Sequence, residues 1–238
     1  MARANFLLEN DQPKVVGSFG SATDLAATTA DEVRKSCDLA EIRLDLLDPE
    51  ATRMSPVPWG HLSDIPLLFT VRRIEEGGAV ALDADSRTTM LERVLVAAAF
   101  VDVEVASISG MARLLAILRE RRIPWVASYH DFEKIPSPAE LSRAAELARA
   151  AGAAVFKAAA RLESPADLAR LAEFQLADHG LPVSTMGMGP LAPVSRLLCA
   201  QCGSVLNYGY LGNTATAPGQ WDSALLKNAI ARLTPFRP

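Results

Sequence analysis

The chain has 238 residues, half of them hydrophobic, which is long for a small domain but within the range of a single α/β barrel. Its 24 lysines and arginines nearly balance 28 acidic residues, which argues against a nucleic-acid-binding or polybasic membrane surface. The apolar stretch near the N-terminus is too short for a signal peptide, and no segment approaches membrane-spanning length. We therefore expect a cytoplasmic protein without a membrane or nucleic-acid partner.

Short β-branched runs alternate with amphipathic helical segments along the chain. The predicted strands are Lys14–Phe19, Leu39–Leu44, Leu67–Arg72, Val101–Val105, Trp125–Tyr129, Ala154–Lys157, Val183–Met186 and Ser204–Tyr208. The predicted helices are Thr23–Ser36, Ser86–Ala99, Met111–Arg122, Pro138–Ala151, Pro165–His179, Pro193–Cys202 and Gln220–Leu233. The segment after the second strand, interrupted by Pro49, Pro56, Pro58 and Gly60, is poor helix material.

This strict alternation predicts a parallel sheet with right-handed crossovers. Eight such units favour closure into a (β/α)8 TIM barrel, a single catalytic domain over residues 1–238. An open, doubly wound sheet is the structural alternative. However, the glycines Gly17 and Gly20 after the first strand lack the third glycine and the acidic partner of a dinucleotide-binding fingerprint.

The three cysteines do not form a disulfide framework in a chain of this size. Cys199 and Cys202 have the CxxC spacing of a metal or redox pair, but no second pair or nearby histidine completes a zinc set. Packing within a helix is the better interpretation, and we expect no metal site.

A histidine and a lysine each close a predicted buried strand. His130 follows Trp125–Tyr129, and Lys157 is the last residue of Ala154–Lys157. In a parallel barrel, reacting groups lie at the C-terminal ends of the strands, so the two side chains should face one pocket. A lone histidine is often only structural. A lysine that ends an apolar strand either reaches water or is functional, and the residues beside Lys157 in sequence offer no carboxylate to pair with it.

Further polar residues follow the other strands. Glu41 and Arg43 point to one face of the second strand and could be an inward ion pair. Arg72 ends the third strand ahead of a loop containing Glu76 and two glycines. The fourth strand carries Asp102 and Glu104, the seventh is followed by Gly187–Gly189 and Arg196, and the eighth by Thr216 and Gln220. The predicted barrel brings these residues to one mouth.

In this order the motifs resemble the type I 3-dehydroquinate dehydratases of the shikimate pathway. The matching pieces are Glu41-Ile-Arg43-Leu-Asp45, Phe69-Thr-Val-Arg72 with Glu76-Gly-Gly, Val101-Asp-Val-Glu104, Ser128-Tyr-His130-Asp-Phe, Phe156-Lys157, Met186-Gly with Ser195-Arg196, and Ala217-Pro-Gly-Gln220. They extend from about Lys14 to Trp221, nearly the whole chain. Each motif is modest, but jointly they are specific.

The resemblance implies a cofactor-free and metal-free lyase, usually a homodimer, in aromatic amino acid biosynthesis. It would convert 3-dehydroquinate to 3-dehydroshikimate through a Schiff base. The resemblance makes Lys157 the nucleophile, His130 the general acid and base, and Glu76 the residue that orients His130. Arg196 would bind the substrate carboxylate, and the ring hydroxyls would be held by Glu41, Arg43, Arg72, Thr216 and Gln220.

Two positions depart from the family pattern: Thr216 stands where serine is common, and Tyr129 where a smaller polar residue is common. Two other functions are considered. A Schiff-base aldolase for sugar phosphates could use Gly187–Gly189 for phosphate, since barrels often bind phosphate after strands seven and eight. A barrel without activity could serve as a scaffold, but the complete set of Lys157, His130 and Glu76 argues against that.

Overall fold

The computed structural model describes residues 12–53 and 55–236. The expectation that the N-terminus carries no signal peptide concerns residues 1–11 and lies outside the described residues. Within the described ranges, no helix is long and apolar enough to cross a membrane.

The chain forms eight parallel strands that make a nearly closed barrel. They are β1 (Lys14–Phe19), β2 (Leu39–Arg43), β3 (Leu67–Thr70), β4 (Ala98–Glu104), β5 (Trp125–Asp131), β6 (Val155–Arg161), β7 (Val183–Met188) and β8 (Leu206–Leu211). Each strand from β1 to β6 pairs with the next one, and β1 also pairs with β8. Where β7 meets β8, the Val205 N–H donates to the Val183 carbonyl at 3.1 Å. The predicted (β/α)8 TIM barrel is confirmed, and the open sheet is wrong.

Helices connect the strands on the outside of the barrel. They are α1 (Ala22–Ala27), α2 (Ala30–Ser36), α3 (Ala84–Val94), α4 (Ala112–Arg121), α5 (Pro138–Ala150), α6 (Pro165–Leu176), α7 (Ala192–Gln201) and α8 (Ser223–Ile230). The proline-rich segment after β2 forms short 3-10 turns, as the breaker residues predict. Ser137 and Ser164 begin α5 and α6 with capping boxes followed by proline, which confirms both predicted helix starts.

The observed helix bounds differ from the predicted ones, and two of the differences have a clear structural cause. The predicted helix Thr23–Ser36 is split, because Thr29 takes extended backbone and caps a new helix through a reciprocal bond with Glu32. The predicted helix Ser86–Ala99 ends at Val94, because Ala98 already pairs with Leu67 of β3. Alanine favours helices locally, but tertiary pairing overrides that preference.

Strands β5 and β6 continue further than predicted. Tyr129–Asp131 pair with Ala158–Ala160, so the sheet extends beyond Lys157. Lys157 is therefore the third residue of β6 and not its last, and the prediction that it ends the strand is wrong. The small alanines have a low strand preference of their own and are extended because of their neighbours. Lys157 consequently lies deeper in the barrel than a strand-end residue would.

Apolar side chains fill the barrel below the polar ones. Inward-facing residues from seven strands form this layer, namely Val16, Leu39, Leu68, Phe100, Val126, Val155 and Leu206. Outward-facing residues pack under the helices in a larger core. Two residues further along β1 and β2, the same inward face carries Ser18 and Glu41. The floor of the polar cavity is therefore dry and closely packed.

Cys199 and Cys202 are free, buried thiols at the end of α7. Burial raises the pKa of Cys199 to about 12, so it stays protonated at neutral pH. This burial is what the packing interpretation of the CxxC spacing predicts.

Candidate active site

A cavity at the C-terminal mouth of the barrel has a volume of about 500 Å³, its open mouth included. It brings together all of the predicted site residues, which are Glu41, Arg43, Arg72, Glu76, His130, Lys157, Arg196, Thr216 and Gln220. They come from six different strands and the segments that follow them, which is how this fold commonly assembles a reactive centre.

Lys157 is buried, with 5% of its surface exposed. Its Nζ lies 3.7 Å from Asp102 Oδ2 and 4.1 Å from the centroid of the Tyr208 ring. Burial lowers the pKa of the amine and the Arg72 charge adds to this effect, whereas Asp102 opposes it. The sequence neighbours of Lys157 hold no carboxylate, but β4, two strands away in the sheet, supplies one.

His130 is held by Glu76. The Glu76 Oε2 atom lies 3.0 Å from His130 Nδ1 and also accepts the His130 backbone N–H at 3.0 Å. Burial lowers the pKa of His130 well below 6.5, and the charges of Arg72 and Lys157 lower it further. Burial raises the pKa of Glu76 to about 7. At neutral pH the imidazole is therefore uncharged. An ionised Glu76 carboxylate favours the tautomer that carries its proton on Nδ1, which leaves Nε2 as the basic nitrogen.

His130 and Lys157 lie on adjacent strands and line the same cavity. Lys157 pairs in register with Ser128, and His130 pairs with Ala159. Because side chains alternate along a strand, His130 projects from the same face as Ser128, one step nearer the mouth. The imidazole therefore lies nearer the mouth than the amine, and both side chains line the cavity.

Glu41 and Arg43 are not paired with each other, so their interpretation as an inward ion pair is wrong. Glu41 accepts hydrogen bonds from the hydroxyls of Ser18 and Thr70, the second at 2.7 Å. Arg43 forms a two-pronged ion pair with Asp45, at 2.9 and 2.7 Å. Alternation puts both side chains on the predicted face, but hydroxyls and Asp45 supply the nearer partners.

Arg72 lies under the cavity in a buried ionic network. Its Nη1 donates to Asp102 at 2.8 Å, to Glu104 at 2.9 Å and to Ser128 at 2.6 Å. Burial would lower the pKa of Arg72, but the two carboxylates raise it above its usual value. Nη1 of Arg72 therefore binds Asp102, the residue whose carboxylate faces Lys157.

Arg196 is a buried cation that is held by backbone carbonyls. Its Nε donates to the Tyr208 carbonyl at 2.9 Å, and Nη1 donates to the carbonyls of Gly187 at 2.8 Å and Ala192 at 3.3 Å. Burial lowers the pKa of the guanidinium to about 10, so it remains charged at neutral pH. No carboxylate among the described residues pairs with it, which makes this side of the cavity suited to an anion.

Thr216 and Gln220 belong to one ordered loop after β8. Gln220 Oε1 accepts the Thr216 hydroxyl at 2.8 Å and the Thr216 N–H at 2.9 Å. Gly219 has φ +73°, and a Cβ there would lie 2.4 Å from the Gly189 carbonyl. The loop is therefore seated directly on the end of β7.

Several cavity residues were not predicted from the sequence, among them Ser18, Phe132 and Tyr208. Ser18 and Tyr208 lie on inward-facing positions of β1 and β8, and this periodicity is the signal that could have found them. Asp102 stood out as an acidic residue of the fourth strand, but only the fold reveals its contact with Lys157.

The phosphate site expected for an aldolase is occupied by internal contacts. The Gly187 N–H donates to Ser195 Oγ at 2.8 Å, and the Gly189 N–H donates to the Pro218 carbonyl at 3.2 Å. Backbone N–H groups that would hold a phosphate are therefore already engaged.

Comparison with known proteins decides the family. The model of the type I 3-dehydroquinase family matches residues 19–234, most of the chain. The chain belongs to this family. Membership makes it a lyase of the shikimate pathway that dehydrates 3-dehydroquinate, in place of the aldolase or the inactive scaffold.

Relatives of known function belong to the same family of 3-dehydroquinate dehydratases. A 3-dehydroquinate dehydratase of Shouchella clausii is 35% identical over 208 residues, covering 82% of this chain and 81% of the relative. A catabolic 3-dehydroquinate dehydratase of Acinetobacter baylyi is 30% identical, covering 84% and 78%. Among solved structures, the Geobacillus kaustophilus 3-dehydroquinate dehydratase superposes with a TM-score of 0.81 at 24% identity, covering 92% of this chain and 90% of that one. At that identity the structural likeness shows the shared fold.

Proposed function

We propose that this dehydratase works through a Schiff base at Lys157, with His130 as the general acid and base. The observation that carries the proposal is the pairing of a buried amine, whose pKa burial lowers, with a neutral imidazole in the same cavity. Only the uncharged amine is a nucleophile, so a lowered pKa increases its reactive fraction at neutral pH.

The proposed sequence begins when Lys157 Nζ adds to the C3 ketone. The hydroxyl of the resulting carbinolamine leaves as water after taking a proton from solvent, and a protonated imine forms at the former carbonyl carbon. His130 Nε2 then removes a proton from the carbon next to the imine, and the electron pair moves towards the positive nitrogen to give an enamine. The hydroxyl on the following carbon departs as water, taking its proton from His130. A second water then hydrolyses the imine, which releases the conjugated ketone and restores the lysine.

Glu76 is proposed to orient His130, because its carboxylate accepts both the ring Nδ1–H and the backbone N–H of that residue. Asp102 stands 3.7 Å from the Lys157 nitrogen, where it would stabilise the positive charge of the imine. Arg72 would hold Asp102 in place through their hydrogen bond, and as a residue that lines the cavity it would also contact the ring hydroxyls of the substrate.

The remaining side chains are proposed to bind substrate. Arg196 would take the carboxylate, because it is the buried arginine of the cavity whose charge is not already matched by a nearby carboxylate. Glu41, Arg43, Thr216 and Gln220 would hold the ring hydroxyls from two sides. The methyl group of Thr216 narrows this end of the cavity relative to serine.

From the family resemblance we also propose a homodimer in the cytoplasm, working without metal or organic cofactor, with residues 1–238 forming one catalytic domain. Sedimentation or light scattering of the purified protein would test the dimer.

The mechanism is tested by borohydride reduction in the presence of 3-dehydroquinate, followed by peptide mass analysis. We expect the mass of the reduced adduct on the Lys157 peptide, and no adduct or turnover in Lys157→Ala. His130→Ala should still form the adduct slowly but stall at proton transfer. Lys134→Ala, an exposed lysine after β5, is the matched control and should keep wild-type turnover. An unmodified Lys157 peptide in the active wild type would rule out the imine.

A further inference from the structure

Asp45 is a buried carboxylate beside the cavity that the proposed reaction does not use. It lies just after β2, in the 3-10 turn Leu44–Leu46, with 3% of its surface exposed. Each of its two carboxylate oxygens accepts two hydrogen bonds. Oδ1 accepts from Arg43 Nε at 2.9 Å and the Arg72 N–H at 3.2 Å, and Oδ2 accepts from Arg43 Nη2 at 2.7 Å and the Ala79 N–H at 3.2 Å.

The two backbone donors are the first and last residues of the loop 72–79. This loop leaves β3, carries Glu76 in a short 3-10 turn, and returns past two glycines. One carboxylate group therefore joins both ends of the loop to β2. The distance between Glu76 and His130 depends on the position of this loop, because Glu76 reaches the imidazole from the middle of it.

Arg43 binds the same loop at a third point, between the two ends that Asp45 holds. Its Nη2, besides pairing with Asp45, donates to the Gly77 carbonyl at 3.2 Å. Arg43 also lines the cavity, so a ligand that contacts Arg43 acts on a side chain that is bonded to the loop next to Glu76. On the opposite side, Glu104 accepts the Arg73 N–H at 3.0 Å.

We propose that Asp45 is a positioning residue for the dehydration: by binding both ends of loop 72–79 and Arg43, it places Glu76 against His130. This inference rests on the proposed roles of Glu76 and His130. Burial raises the pKa of Asp45, but the hydrogen bonds and charge of Arg43 and the two N–H groups lower it more, so its pKa is below the usual value. The carboxylate thus keeps all four acceptor sites over the working pH range.

Asparagine cannot replace this carboxylate, although it has the same shape. Whichever oxygen becomes an NH2 group, one nitrogen of Arg43 and one loop N–H lose their acceptor and face a donor. Asp45→Asn should therefore release one end of the loop. A displacement of about 1 Å in a reacting group can cost about a hundredfold in rate, so we expect kcat to fall ten- to a hundredfold.

A double-mutant cycle with Glu76→Gln distinguishes positioning from a general loss of structure. If Asp45 acts through Glu76, Asp45→Asn lowers kcat in the wild type but by less than about threefold in the Glu76→Gln background. Asp38→Asn is the matched control: Asp38 accepts the Val15 N–H at 2.8 Å and pairs with Lys227, away from the cavity, and this variant should keep wild-type kcat.

Hydrogen exchange supplies a readout independent of turnover. In Asp45→Asn, peptides that cover residues 72–79 should exchange faster, whereas those covering β6 should not change. Should Asp45→Asn not fold, Asp45→Glu keeps the charge but shifts the carboxylate, and the same cycle and exchange pattern apply.

Equal falls in kcat in both backgrounds would overturn the proposal, as would an unchanged kcat in Asp45→Asn while Glu76→Gln is impaired. A Glu76→Gln enzyme as active as the wild type would instead refute the proposed role of Glu76, and the exchange data would then still report whether Asp45 binds the loop.

Discussion

Replacing Arg196 by lysine should weaken substrate binding while keeping the positive charge. In the structure, Nε and Nη1 of Arg196 are held by three backbone carbonyls, so the guanidinium plane is fixed and Nη2 has no protein partner among the described residues. A lysine amine offers one nitrogen in place of three and cannot satisfy these carbonyls and a substrate carboxylate together.

The expected increase in KM follows from the hydrogen bonds to the substrate that Arg196→Lys would lose. A hydrogen bond to a charged group contributes about 1.5–3 kcal/mol, and each 1.36 kcal/mol corresponds to a factor of ten. Losing one such bond to the carboxylate should raise KM about 10- to 150-fold. The effect on kcat should be smaller, because the carboxylate does not itself react and its binding contributes similarly before and during the reaction.

The assay is the absorbance of the conjugated enone product over a range of 3-dehydroquinate concentrations. Arg161→Lys is the matched control, since Arg161 is an exposed arginine at the end of β6 that pairs with Glu163, and its KM should stay within about twofold of the wild type. If a folded Arg196→Lys enzyme kept the wild-type KM, the carboxylate would bind elsewhere and the reasoning would be refuted.

Three further predictions concern Glu76, Gly78 and Ser137. Burial raises the pKa of Glu76 from 4.5 to about 7, so the stability that its protonated form contributes is lost as the pH rises from about 4.5 through 7. At pH 8 the Glu76→Gln variant should therefore have a higher melting temperature than the wild type, with a free energy of unfolding higher by at most about 3 kcal/mol. Thermal melts should show that this difference disappears at pH 4. Gly78→Ala would put a Cβ 2.3 Å from the Arg72 carbonyl oxygen, so loop 72–79 must shift, and kcat should fall tenfold or more (about 1.4 kcal/mol). In the control variant Gly60→Ala the new Cβ has no contact under 3.8 Å, and kcat should not change. Steady-state kinetics of both variants would test this prediction. Ser137→Ala removes a helix cap and should lower the melting temperature by about 2–4 °C without changing kcat, and an unchanged melting curve would contradict the capping argument.

Local patterns predicted most of the fold because they arise from local physics. Ser137 and Ser164 signal helix starts through hydroxyls that bond to the N–H three residues on, and the prolines after them pre-set the backbone. The predicted bounds of β1 coincide with the observed strand. Errors occur at Thr29, Ala98 and Lys157, where a cap or a neighbouring strand determines the element's end.

Parallel alternation also explains why the candidate site could be predicted as a set. Every barrel strand presents its C-terminal end to one mouth, so polar residues at those ends meet whatever the details of packing. The proposed roles of Lys157, His130 and Arg196 depend on that placement and on the family motifs.

Hydrophobic periodicity and capping act over a few residues, so the alternating elements, the closed barrel and the common mouth can be predicted from the amino-acid sequence. Which charges meet depends on how the strands pack against one another. Asp102 faces Lys157, Asp45 joins the two ends of loop 72–79, and Arg196 has carbonyls instead of carboxylates around it. These contacts join residues of different strands, and their distances depend on strand register and burial, which no local pattern encodes.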